Sequence, residues 1–205
     1  MFITFEGCEG CGKSTQIRLL YNSLRSRGID CVLTLEPGGT PLGSAVRDLL
    51  KVRRDFGISP EAELLLFAAC RAQLVKEVIR PALATGRVVI CDRFSDSTVV
   101  YQGHARGLDL GQIEYINNMA TGNLKPDLTI LLDAVPEVGL GRKRNVETDR
   151  FDNESIEFHR RVRDGYLLEA GREPRRWYTV SAQQPVETIS QAILTEVLSR
   201  LNKKA

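Results

Sequence analysis

Phe2-Ile3-Thr4-Phe5-Glu6-Gly7-Cys8-Glu9-Gly10-Cys11-Gly12-Lys13-Ser14 opens the chain with an apolar run, a glycine-rich turn and a lysine. Residues 7–14 match G-x-x-x-x-G-K-[ST], a phosphate-binding loop. The run at 2–5 reads as a strand. Residues 13–27 read as a helix, because Ile17, Leu20, Tyr21 and Leu24 share one face. Strand before and helix after are the context that makes the motif specific. Gly7, Gly10 and Gly12 let the backbone curl until successive N–H groups converge on one anion. The start of the helix adds positive potential at the same spot. In such a loop Cys8, Glu9, Cys11 and Thr15 lend backbone to the cradle. Lys13 reaches the β- and γ-phosphates of ATP, and the Ser14 hydroxyl ligates Mg²⁺.

Outward from the loop, short apolar runs alternate with longer helical patterns. That alternation predicts an α/β fold with a parallel sheet. Candidate strands are 2–5, Cys31–Leu35, 87–91, 128–132 and Trp177–Ser181. Ser59-Pro60 is a cap with proline in the first turn of a long apolar helix. Pro81 is expected to end or kink it. Pro185 opens a last helix running toward Leu201. Residues 141–153 are polar, charged and aperiodic, and read as a mobile loop between two helices.

At 205 residues with no repeat or low-complexity linker, residues 1–205 are expected to form one domain. The net charge of +2 gives no global field for nucleic acid. No apolar run approaches bilayer length, and the first residues lack the basic flank of a signal peptide, so a cytoplasmic protein is expected. The five cysteines suit a reducing compartment. Cys8 and Cys11 form C-x-x-C, but no second pair follows. They read as small loop residues, with oxidation sensitivity as a side hypothesis.

Three clusters suggest a second ligand pocket. Glu36-Pro37-Gly38-Gly39-Thr40 follows the second strand, on the side where open α/β sheets bind ligands. Phe67 and Arg71 lie four apart on one helix face. Phe67 alone reads as core, yet with Arg71 beside it the pair suits a flat ring and its polar edge. Asp92-Arg93-Phe94-Ser95-Asp96-Ser97 begins where an apolar strand ends, and Tyr101-Gln102-Gly103 follows. Asp92 is placed to support Mg²⁺ through its water shell, and Arg93 to hold an acceptor phosphate by a bidentate fork.

GCEGCGKS at 7–14, EPGGT at 36–40, FAACRAQ at 67–73 and DRFSDSTVVYQG at 92–103, in this order and spacing, resemble the thymidylate kinase family. The resemblance covers nearly the whole chain. It implies the three-layer P-loop fold of nucleoside monophosphate kinases: a five-stranded parallel sheet, helices on both faces and a short lid at about 141–153. The implied reaction is ATP + dTMP → ADP + dTDP, on the path to dTTP, and a homodimer is implied too. By the same resemblance Glu9 holds the deoxyribose 3′-hydroxyl, Phe67 stacks on thymine and Arg71 reads its edge. Glu36, Pro37 and Gln102 belong to the acceptor pocket, and Arg93 takes the acceptor phosphate. Ser97 and Thr98 lie near the base, and Tyr101 crowds the sugar's 2′ position. Cys70, Leu74 and Phe94 depart from the family's frequent aspartate, histidine and tyrosine.

The family has one form with an arginine in the phosphate loop and another with it in the lid. Gly10 leaves this loop without one, so the chain resembles the lid-arginine, bacterial type. Arg142 and Arg144 are then the catalytic candidates, beside Lys13 and Arg93, with Arg150 as a third. Two other readings stay open. One is a kinase for another mononucleotide, or for a deoxynucleoside with Glu36 as general base. The other is a nucleotide-dependent module without turnover.

Overall fold

The computed structural model describes residues 1–51, 56–142 and 150–204. Its sheet comprises β1 (Phe2–Glu6), β2 (Cys31–Leu35), β3 (Val88–Asp92), β4 (Leu128–Asp133) and β5 (Trp177–Ser181). The order is β2-β3-β1-β4-β5, every pairing parallel. The five expected strands are all present, with β1, β3 and β4 running one residue further than the apolar runs. Those added residues are Glu6, Asp92 and Asp133, so three carboxylates close three neighbouring strands.

Strand periodicity of two sorts the side chains into two cores. Ile3, Phe5, Val88, Ile90, Leu128, Ile130 and Leu132 face α1 (Lys13–Arg25) and a last helix at Val186–Lys204. Phe2, Val89 and Cys91 face the other way, onto α3 (Pro60–Leu74) and the turns that continue it. Further along that face Leu131 and Trp177 meet a helix at Ile156–Arg172. Three layers result, as expected.

Ser59 caps α3, its hydroxyl accepting from Ala62 N–H, as the sequence predicts. Pro81 does not end this helix. A wide π-helical turn at Val75–Ile79 shifts the hydrogen-bond register, with Arg80 N–H reaching back to Val75 O. Pro81 then falls in the first turn of α4 (Arg80–Ala84), where its missing N–H leaves no bond unmade. A second wide turn, Val99–Ala105, extends the short α5 (Ser95–Thr98). Two helices add to the expected set: α2 (Pro41–Lys51), and α6 (Leu110–Thr121), which Asp109 caps and Gly122 ends at φ 58°.

After β4 the chain forms α7 (Pro136–Arg142), then α8 (Ile156–Arg172), β5 and α9 (Val186–Lys204). The phosphate loop packs against α7 backbone to backbone. A Cβ on Gly10 would meet Gly139 O at 2.0 Å, and one on Gly139 would meet Glu9 O at 2.2 Å. Neither position admits a side chain without moving main chain. Gly139→Ala is therefore expected to lower stability by about 1–3 kcal/mol, read as a lower urea midpoint. Gly141→Ala, whose Cβ meets nothing within 4 Å, serves as its helical control and is expected to leave the midpoint unchanged or raised.

Candidate active site

The carboxyl ends of β1, β2 and β3 open onto one cleft of about 560 Å³. The phosphate loop contributes Glu9, Gly10, Cys11, Gly12, Lys13, Ser14 and Thr15 to its wall, and the turn after β2 contributes Glu36 and Pro37. Phe67 and Arg71 enter from α3. Asp92, Arg93, Ser97, Thr98, Tyr101 and Gln102 enter from the end of β3 and the turns beyond it, and Arg142 from the end of α7. The residues expected on opposite sides of a two-ligand site thus share one space. Gly7 and Cys8 stand behind the wall, where their carbonyls each accept from Lys13 Nζ at 3.0 Å. Arg144 lies outside the described residues.

The loop is shaped by its glycines. Gly7, Gly10 and Gly12 have φ of 141°, 68° and 95°, values that L side chains rarely adopt. Gly12 leads directly into α1, so the curl of N–H groups and the helix start point into the same cleft. The donor set beside it is the Ser14 hydroxyl and the Asp92 carboxylate. Hard oxygens of this kind suit Mg²⁺ rather than a soft metal.

Arg71 is fully buried and held in one orientation. Its Nε and Nη2 both donate to Glu36 Oε2, at 3.0 and 2.9 Å. Nη2 also donates to Thr98 Oγ1 at 2.8 Å, and Nη1 to Asn117 Oδ1 at 2.5 Å. Burial raises the Glu36 carboxyl above its ordinary value, and Arg71 offsets part of that rise. Arg93 is the second fixed guanidinium. Nη2 donates to Glu9 Oε1 at 2.8 Å and Tyr101 Oη at 3.1 Å, and Nη1 to Tyr166 Oη at 2.9 Å and Ser97 Oγ at 3.2 Å. It lies 5.0 Å over the Tyr101 ring, a cation–π distance.

Several residues of the site carry no local sequence signal. Arg47 and Phe151 line the cleft, and Arg47 Nη1 donates to Pro37 O at 2.8 Å. Glu6 and Tyr166 lie behind Arg93. Glu63, fully buried on α3, accepts from Gln102 Nε2 and Arg106 Nε, each at 2.7 Å, and from Arg150 Nη2. Arg150 also donates to Leu50 O. It is tied to α2 and α3 instead of facing the phosphate loop. His104 pairs with Glu169, and His159 is buried away from the cleft lining. Arg163 grips both Asp133 oxygens, at 2.7 and 2.9 Å.

The geometry weighs against a working thiol pair in C-x-x-C. Cys8 packs among Tyr101, Leu131 and Phe158, while Cys11 packs among Ile3, Phe5 and Ile17. Joining them would pull each out of its own core. Burial, with Cys11 nearby, pushes the Cys8 thiol up to about 12, so almost no thiolate exists at neutral pH.

A family model described as thymidylate kinase matches residues 5–193. The chain belongs to the thymidylate kinase family. It is 48% identical to the thymidylate kinase of Geotalea uraniireducens, across 98% of this chain and 97% of that relative. It is 52% identical to the one from Desulfovibrio desulfuricans, across 92% and 91%. The crystal structure of thymidylate kinase from Ehrlichia chaffeensis superposes with a TM-score of 0.76 at 35% identity, covering 97% of this chain and 98% of that one. Family membership agrees with the five-stranded parallel sheet and makes the chain an enzyme of the kinase class.

All five cysteines are free and buried. A colourless-to-yellow thiol titration is therefore expected to find almost none reactive in the native chain and all five after unfolding in denaturant. Rapid native reaction at Cys8 or Cys11 would contradict the packing described above.

Proposed function

We propose that the cleft brings ATP and dTMP together and passes the γ-phosphoryl group to the dTMP phosphate, giving ADP and dTDP. The observation that carries this reading is that the anion cradle after β1 and the Arg93 fork after β3 open into the same space. The loop from Gly7 to Thr15, with Lys13, takes the ATP phosphates. Ser14 and Asp92 would hold Mg²⁺, which when bound offsets negative charge on the β- and γ-phosphates. Phe67 stacks on thymine, Arg71 presents its edge, and Glu36, Pro37, Ser97, Thr98 and Gln102 complete the base side. Glu9 takes the 3′-hydroxyl. Tyr101, fixed by its bond to Glu9 at 2.9 Å, crowds the sugar's 2′ position, which disfavours ribonucleotides.

The chemistry needs charge control more than proton transfer. The acceptor phosphate has a second pKa near ~6 and is mostly dianionic at neutral pH. No strong general base is required. Two unit charges at ~4 Å repel by ~4 kcal/mol even at an effective dielectric near 20. Lys13, Arg93 and Arg142 offset that repulsion within a single domain, joined by Arg144 from the lid expected at about 141–153, of which 143–149 lie outside the described residues. Glu36, the general base that a deoxynucleoside rival would need, is buried with its Oε2 held by Arg71 Nε and Nη2.

We extend the proposal to a cytoplasmic homodimer. Leu65 on α3, with Tyr115 and Met119 on α6, exposes apolar surface on two helices that pack together. The buried free thiols suit a reducing compartment, and among the described residues no helix is long and apolar enough to cross a membrane.

An acceptor screen with ATP and Mg²⁺ tests the central reading. Among dTMP, dUMP, AMP, CMP and thymidine, dTMP is expected to react fastest. Faster thymidine phosphorylation, or tight nucleotide binding without any transfer, would overturn it. Arg93→Ala is expected to lower kcat/KM for dTMP by about 100-fold or more. ATP affinity is expected to fall by less than the loss for dTMP. Equal losses for both nucleotides would remove Arg93 from the acceptor side.

A further inference from the structure

A fully buried carboxylate lies behind Arg93, unused by the roles above. Glu6 is the last residue of β1. Its Oε1 accepts the Phe94 backbone N–H at 2.9 Å. Its Oε2 accepts the hydroxyls of Ser97 at 2.5 Å and Tyr166 at 2.8 Å. Those two hydroxyl oxygens are the ones that receive Arg93 Nη1. Glu6 Oε2 itself lies 3.9 Å from Nη1, so the hydroxyls mediate between carboxylate and guanidinium.

We infer that Glu6 is a positioning residue for Arg93: one oxygen pins the backbone turn that carries the arginine, and the other sets the direction of the two hydroxyls that hold its guanidinium. The inference rests on the reading of Arg93 as the acceptor-phosphate ligand.

The backbone half follows from strain. Arg93 has φ 68°, a left-handed conformation costly for a side chain with a Cβ. Such a residue persists only where its surroundings leave no alternative. Here Arg93 N–H bonds to Phe5 O at 3.0 Å, the Cys91 thiol donates to Arg93 O at 3.0 Å, and the next N–H, that of Phe94, is taken by Glu6. Without Glu6, the N–H following the strained residue loses its acceptor in a buried site.

The side-chain half follows from counting protons. A hydroxyl has one proton to donate and lone pairs to accept with. An ionised Glu6 has no proton, so it draws one from Ser97 and one from Tyr166, and both oxygens are left as acceptors for Arg93. A donor at the Oε2 position changes this. One hydroxyl must then accept from it and turn its own proton toward Arg93 or toward the other hydroxyl, 2.9 Å away. An acceptor for the guanidinium is lost, and the fork is free to leave its pose.

The groups that face Glu6 are Arg93 and Ser97, Asp96 on the same short helix as Ser97, and Tyr166 on α8. Glu9 and Tyr101 lie on the guanidinium's Nη2 side. Asp96 is itself held by Arg176, at 2.6 and 2.9 Å. Burial, then Asp96, raises Glu6 to about 7 against the pull of Arg93 and the two hydroxyls. The hydroxyl relay therefore sits near its switching point at neutral pH, ionised and directed above it, protonated and disordered below it.

Titration calorimetry of dTMP into the parent chain and into Glu6→Gln tests this, with steady-state KM for ATP beside it. The amide matches the carboxylate in shape and puts a donor where an acceptor stood. Above the Glu6 value, at about pH 8, the variant is expected to bind dTMP about tenfold more weakly, the equivalent of one charge-assisted hydrogen bond. KM for ATP is expected to change by less than the dTMP affinity. Toward about pH 6 the parent loses its advantage and the gap closes, while the nucleotide's own ionisation near ~6 weakens both chains alike and cancels in the ratio. A ratio of one at both pH values, or a parallel loss for ATP, overturns the inference. Should Glu6→Gln not fold, Tyr166→Phe keeps the buried ring and removes one hydroxyl. It is expected to weaken dTMP about threefold or more, and unchanged affinity overturns the inference. The underlying reading fails separately, if the parent chain makes no dTDP, and the calorimetric ratio needs no turnover.

Discussion

The Arg93 guanidinium joins the ends of two neighbouring strands, β1 and β3, and the rest of the site is arranged around that junction. β1 ends at Glu6 and runs into the phosphate loop, while β3 ends at Asp92 and delivers Arg93. The arginine bridges back to Glu9 of the loop, so two ligand-facing segments from neighbouring strands become one rigid unit. A buried cation is costly unless its partners satisfy every donor. Here the Glu9 carboxylate, two phenols and a serine hydroxyl accept from the two terminal nitrogens, and Glu6 stands 3.9 Å off behind the hydroxyls. The fixed direction of the guanidinium comes from this cage and from the strained turn that presents it, on a scaffold of parallel strands.

Charge in this chain is local. The net +2 says little about binding. Within the cleft, Lys13, Arg47, Arg71, Arg93 and Arg142 converge on one space, and carboxylates behind or beside them hold several in place. Glu36 holds Arg71, Glu9 holds Arg93, and Glu63 gathers Gln102, Arg106 and Arg150 at the edge. Each acidic partner fixes a direction. The cations meet incoming nucleotides already oriented, which reduces the ordering cost of binding.

Strands and the phosphate loop were legible in the sequence because their signals are contiguous. Apolar runs gave all five strands, and only the terminal carboxylates of β1, β3 and β4 escaped, since polar residues do not extend an apolar run. The helical path runs past Pro81 because a π-helical turn at Val75–Ile79 changes the hydrogen-bond register just ahead of it, and a proline in the sequence does not say whether a helix ends or is distorted there. α6 has a weak apolar stripe, and its Asp109 cap and Gly122 stop are common loop residues. In the site, Phe67, Arg71 and Arg93 stood out within motifs. Glu6 and Tyr166 meet across 160 positions of chain, and Arg150 reaches Glu63 across 87. Pairings that distant belong to the fold and leave no trace in spacing.

The contact between Gly10 and Gly139 limits what the phosphate loop can become. Here main chain presses against main chain. An arginine grafted at position 10 would drive its first carbon into a carbonyl of α7. That helix would have to move outward in the same step, and Arg142 at its end would move with it. Adding a cation to this wall is thus a concerted remodelling, closed to any single exchange of residues.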